Sequence, residues 1–189
     1  MSIQLPLKIG GKEQCFFIEQ ATLEHDLNRV AIVVNSAYKK VQYLQEGVER
    51  ITVSELKSAV SNPRKKLYLC LSHTREICGT ILLDFFEKDK DEIAIFAVHP
   101  DYQGYCIGPT FMNYVEQEAF KKVSSIVLKV IPLFQEKLIH FYERLGYRTT
   151  GEVMSFPEED KVRYIRPKCK GRVFFSIMQK DRVKIRNAL

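Results

Sequence analysis

The chain has 189 residues, 46% of them hydrophobic and 28% charged; these ordinary globular proportions exclude a disordered or fibrous chain. A single domain of this length buries roughly 70% of its unfolded surface, so a core needs neither disulfides nor metal. Lysine and arginine total 29 against 23 acids, a net charge of +6, which favours polyanionic partners (nucleic acid, anionic lipid or a phosphate-bearing cofactor) without choosing among them.

Residues 16–19 read as a short first strand. Residues 26–38 follow with apolar side chains at Leu27, Val30, Ala31, Val34 and Ala37, spacings of three and four that define one helical face. Thr52 and Glu55 form a capping-box pattern that opens a second helix, which ends before Asn62 and Pro63. Residues 66–71 and 77–86 are β-rich and joined by a polar turn. A charged turn over 87–91 then leads to a strand over 92–98. A loop over 99–109 precedes a helix over 109–121, with Pro109 expected at the first helical position. Residues 126–131 are nearly all apolar and β-branched, as in a centrally buried strand, and Pro132 ends them. A helix over 135–145 closes on Gly146. Final strands over 148–153 and 173–179 flank a long polar connection. This order predicts a mixed α/β domain in which an antiparallel meander feeds a strand–loop–helix–strand unit.

The longest strictly apolar run, residues 93–98, is far too short to span a membrane. Pro6 and Lys8 interrupt the only apolar stretch of the N-terminus, so no signal peptide is expected. Five scattered cysteines, an odd number, point to reduced thiols and a cytoplasmic protein. Cys70, His73 and Cys78 lack the second close ligand pair of a structural zinc site, so no metal is expected.

The loop over 99–109 carries the chemistry. A glycine-containing turn between strand and helix brings backbone amides and the positive end of the helix dipole to one point, a device that binds phosphate. The spacing of Gly104 and Gly108 matches neither the dinucleotide nor the nucleoside-triphosphate loop. The stretch from Ala97 and Val98 through His99, Pro100, Gln103, Gly104, Cys106 and Gly108 resembles the acyl-CoA signature of the GNAT N-acetyltransferase superfamily, Arg/Gln-x-x-Gly-x-Gly/Ala after a strand ending Ala-Val-x-Pro. Phe141, Tyr142, Gly146 and Tyr147 resemble its second hallmark, Phe-Tyr-x-x-x-Gly-Phe/Tyr, one strand further on. The resemblance covers about residues 15–180 and implies a single domain over 1–189 of α/β (α+β) class: a mainly antiparallel central sheet flanked by helices, with a strand–loop–helix acyl-CoA site.

It also implies direct transfer of an acyl group from acetyl-CoA, as co-substrate, to an amine of a small molecule or peptide. Backbone groups of Phe96, Ala97 and Val98 are expected to hold the pantetheine arm and polarise the thioester. Main-chain amides of Gln103, Gly104, Tyr105, Cys106, Ile107 and Gly108 are expected to hold the pyrophosphate, with Gln103 fixing the loop. Tyr142 is the candidate general acid for the departing sulfur and Glu92 the candidate base for the amine. Cys106 departs from the pattern, standing where the family usually has its first loop glycine. Either the loop demands a left-handed residue there and affinity suffers, or the backbone tolerates a small side chain. Covalent catalysis by this thiol is not expected, because no histidine adjoins it in the motif.

Two competing functions follow from the same residues. One is an acyl-CoA-binding sensor without turnover; the other is a basic nucleic-acid-binding module. The segment 160–172 holds Lys161, Arg163, Arg166, Lys168, Lys170 and Arg172 against one acid, and residues 180–186 add four more cations. Tyr164 is the only aromatic interleaved with them, so a stacking platform for nucleic acid is not expected. No membrane partner is expected, and the chain is expected to be a monomer or homodimer.

Overall fold

A computed structural model describes residues 3–9, 12–133 and 136–183. Strands β1 (Ile3–Ile9), β2 (Lys12–Gln20), β3 (Lys65–Leu71), β4 (Ile77–Glu87), β5 (Lys90–Val98), β6 (Ser125–Val130), β7 (Arg148–Ser155) and β8 (Phe174–Asp181) form one eight-stranded sheet in the order β1-β2-β3-β4-β5-β6-β8-β7. Every pairing is antiparallel except β5 with β6. Helices α1 (Leu27–Tyr38) and α2 (Val53–Ser61) cover one face, while α3 (Ile107–Ala119) and α4 (Glu136–Arg144) cover the other.

Strand alternation explains how the sheet serves two cores. In β3, Tyr68 and Cys70 join the α3 core with Phe111, Met112 and Val115, whereas Leu67, Leu69 and Leu71 join the α1/α2 core with Val30, Val34 and Leu56. Asp26 caps α1 by accepting from the amides of Asn28 and Arg29. Thr52 and Glu55 close both arms of the capping box on α2, an arrangement worth about 1 kcal/mol. A third cluster of Tyr43, Ile131, Phe156, Tyr164, Ile165, Cys169 and Val173 fills the end of the sheet beyond β6.

The structure corrects several sequence boundaries. The first strand is longer than 16–19 and pairs with β1, giving a hairpin that Pro6 and Lys8 had masked. The turn over 87–91 shrinks to two residues, because Glu87 pairs with Lys90. Asp91 is therefore not a solvated turn residue: it is 1% exposed, and burial pushes its carboxyl up to about 6. Helix α3 starts at Ile107, so Pro109 is its third residue, where a missing N–H is still harmless because the first four amides lack intrahelical partners. The polar connection before β8 contains a further helix, α5 (Glu158–Tyr164), and a 3₁₀ segment, Pro167–Arg172. Of the basic tail, Lys184 and Arg186 lie outside the described residues.

Candidate active site

The two parallel strands at the centre of the sheet begin together and then part. Strands β5 and β6 pair from Lys90 opposite Ser125 to Ile93 opposite Leu128, and no further. Just beyond, the β4–β5 register shifts between Thr80 and Leu82, and Ile95 lies at φ 47°. A β-branched residue there is strained, and a bulge of this kind bends its strand away from its neighbour. The wedge so opened is a cavity of about 760 Å³, walled by Phe96, Ala97 and Val98 on one side and Lys129, Val130 and Ile131 on the other.

The loop after β5 is tied back to the strand end, since the Gln103 amide donates to the Val98 carbonyl at 2.9 Å. Gly104 at φ 84° and Cys106 at φ 61°, ψ 10° are both left-handed. The loop thus demands at position 106 the conformation that glycine adopts freely and cysteine adopts with strain. No side chain caps α3, so its first amides are free to meet an anion. A Cβ on Gly108 would come within 3.2 Å of the Phe96 ring tip, so a larger residue would crowd this cradle. All the residues expected to hold the cofactor line the cavity except Tyr105, which is 42% exposed and absent from the lining.

Tyr142 lines the same cavity from α4. The helix ends at Gly146, φ 93°, whose amide donates to the Glu143 carbonyl, while the Tyr147 amide donates to the Tyr142 carbonyl. This termination folds Tyr147 back under Tyr142, ring centroids 5.8 Å apart, and Phe141 packs at 5.3 Å. The Tyr142 hydroxyl makes no hydrogen bond to any described residue. Burial pushes its phenol well above the usual range, so it keeps its proton at every working pH. Glu92 does not line the cavity; its carboxylate accepts from Lys129 Nζ at 2.7 Å, and Lys129 does line it. Asp160 is the single carboxylate among the described lining residues. Its sequence context does not mark it, because it opens a predominantly basic stretch.

Beyond Tyr142 the cavity is aromatic, walled by Tyr38, Tyr43, Phe156, Tyr164 and Phe175, with Arg50 over the Tyr38 ring at 5.4 Å. The segment after α1 is strapped to α5 above it. Gln45 N donates to Tyr164 O at 2.8 Å and Arg166 N to Tyr43 O at 3.0 Å. The Gln45 side chain donates to the carbonyls of Val162 and Ile165, and Arg166 Nε to that of Leu44.

The sequence model of the acetyltransferase (GNAT) family matches residues 32–147. The chain belongs to that family, whose members are N-acetyltransferases that use acetyl-CoA as co-substrate. Among solved structures it is similar to the GNAT domain of S. lividans PAT, at TM-score 0.69 and 14% identity over 96% of this chain and 97% of that one. It is also similar to a GNAT family acetyltransferase from Elizabethkingia anophelis with acetyl-CoA bound, at TM-score 0.65 and 14% identity over 88% and 98%. A third is the spermidine N-acetyltransferase from Vibrio cholerae in complex with CoA and spermine, at TM-score 0.61 and 16% identity over 86% and 94%. No curated protein sequence matches the chain. Among the described residues, no three His, Cys, Asp or Glu side chains group as metal ligands, and no helix is long and apolar enough to cross a membrane.

Proposed function

We propose that the chain moves the acetyl group of acetyl-CoA directly onto an amine of a small molecule or peptide. The observation that carries this reading is one cavity lined by the unpaired edge of β5, the uncapped start of α3 and Tyr142. The amides from Gln103 to Gly108 hold the pyrophosphate, and the backbone of Phe96, Ala97 and Val98 holds the pantetheine arm and polarises the thioester. The amine nitrogen attacks the thioester carbon, the C–S bond breaks, and Tyr142 donates its phenolic proton to the departing sulfur, regaining one from solvent. Acetyl-CoA well above its Kd is expected to raise the melting temperature; a 100-fold excess corresponds to about 5–10 °C for a chain of this size. Cys106→Gly relieves the left-handed strain at an exposed side chain, so it should bind acetyl-CoA equally or more tightly. Absence of any shift with acetyl-CoA or CoA would overturn the reading.

Glu92 serves as base in this scheme through a bridging water, since it stands behind Lys129 and does not line the cavity. A second assignment is favoured by Asp160 being the lining carboxylate. Comparing pH profiles of kcat/KM for Glu92→Gln and Asp160→Asn separates the two. The variant that loses about 100-fold and the acid limb marks the base; normal profiles in both variants would exclude both carboxylates.

A further inference from the structure

The acceptor half of the cavity has a charge arrangement of its own. Arg50 lines it half-buried, its guanidinium over Tyr38, and it pairs with no carboxylate among the described residues. Of the other described cations that line the cavity, Lys129 is paired with Glu92 at 2.7 Å, while Lys137 on α4 is exposed and forms no ion pair among the described residues. Behind the aromatic wall Arg163 pairs with Glu55 at 3.2 Å, Arg166 with Glu46 at 3.2 Å and Lys161 with Glu158 at 2.6 Å. Asp160 likewise forms no ion pair among the described residues; burial acts most on the Tyr164 hydroxyl, followed by the charges of Glu55 and Arg163 and then those of Arg50 and Asp160. A cation held in an aromatic wall without a partner stands ready for an anion.

A neighbouring groove of about 440 Å³ shares Val41 with this cavity and is lined by Lys39, Lys40 and Lys168. This basic groove draws anions in and repels polycations. A polyamine would set several ammonium groups against Arg50 and the groove with Asp160 alone to balance them. Tyr43 and Leu44, in the segment strapped to α5, line the space, and a bounded cavity of this kind suits a small molecule better than a protein chain.

Resting on the acetyltransferase reading above, we infer that the acceptor is a small amine with an apolar or aromatic body and a carboxylate, and that Arg50 takes that carboxylate and determines specificity. The test uses matched pairs: L-phenylalanine with phenethylamine, and 4-(aminomethyl)benzoate with benzylamine, with spermidine as the polycation. Each is measured by thiol release from acetyl-CoA and by the thermal shift it adds to the CoA complex. In the wild type one carboxylated member should exceed its partner at least tenfold in kcat/KM, the lower end for a hydrogen-bonded charge pair. Arg50→Gln should bring that ratio near unity, and Arg50→Lys, which keeps charge without the fork, should retain part of it. Preference for the uncharged partners or for spermidine, or a carboxylate preference that survives Arg50→Gln, overturns the inference. It is equally overturned if the wild type shifts with acetyl-CoA yet neither binds nor acetylates any carboxylated probe. If the wild type shows no acetyl-CoA shift, the transferase reading itself fails and the inference falls with it.

Discussion

Lys180→Met is expected to destabilise the protein by about 3–5 kcal/mol, the cost of leaving a buried carboxylate uncompensated. Glu116 on α3 has a side chain only 3% exposed, and its Oε2 accepts from Lys180 Nζ on β8. Among the described residues, its other oxygen and the Tyr147 hydroxyl are also buried without a hydrogen-bond partner of normal geometry. Burial, then the Glu116 charge and the approach of its carboxylate to the hydroxyl, push the Tyr147 phenol far up, so Tyr147 stays neutral and supplies no positive charge to offset the carboxylate. Methionine keeps the length of the lysine stem, so packing is nearly conserved and the loss isolates the charge. The melting temperature should fall by about 6–20 °C. Glu116→Leu combined with Lys180→Met removes both charges and should recover most of that loss. The lysine side chain is 22% exposed, so water reaches one end of the pair. A single-variant loss below about 1 kcal/mol would show that water already compensates Glu116 and that the pair counts as a surface one.

What was legible in the sequence was whatever one residue or one period controls. The three-and-four spacing of α1, the capping box of α2 and the glycine that ends α4 each act locally, and each is in place. What stayed hidden depends on pairing across the chain or on backbone conformations that carry no sequence mark. The bulge that parts β5 from β6 falls on Ile95, a residue type that never announces a positive φ. The start of α3 at Ile107 follows from the left-handed turn at Cys106, one of the two conformations the motif leaves open there, and cysteine does not choose between them as a glycine would. Helix α5 reads as a charge run until its apolar Tyr164 and Ile165 are seen under the strap from the segment after α1. Glu92 was legible as an acid on a strand, but its partner Lys129 is 37 residues away and pairs with it only through the parallel β5–β6 ladder. The half of the cleft formed by the loop after β5 is one continuous stretch of sequence and is therefore legible in outline. The aromatic half, assembled from α1, the strap, α5 and β8, is not.

Tyr142→Phe is expected to lower kcat by roughly 10- to 1,000-fold with little change in acetyl-CoA affinity, the pattern of an interaction made mainly in the transition state. The argument starts from packing. Tyr142 is 7% exposed and stands among the rings of Phe96, Phe141 and Tyr147, so phenylalanine preserves nearly all of its contacts. Only the hydroxyl is lost. That hydroxyl has no partner among the described residues, lines the cavity and stays protonated because burial disfavours the phenolate. A free donor on a rigid helix end therefore waits for an acceptor, and a thiolate leaving the thioester supplies one. The phenol's raised pKa also makes a testable statement about pH: Tyr142 ionisation should not produce the alkaline limb of kcat, so any such limb should persist in the Phe variant. If the residue were only core, Tyr142→Phe would turn over normally, and harm would appear in Tyr142→Ala as a loss of about 3–5 kcal/mol of stability from the cavity it leaves. Measuring kcat, the acetyl-CoA thermal shift and stability for both variants with one working amine decides the matter. Unchanged turnover in the Phe variant would remove Tyr142 from the chemistry and leave sulfur departure to solvent entering the wedge between β5 and β6.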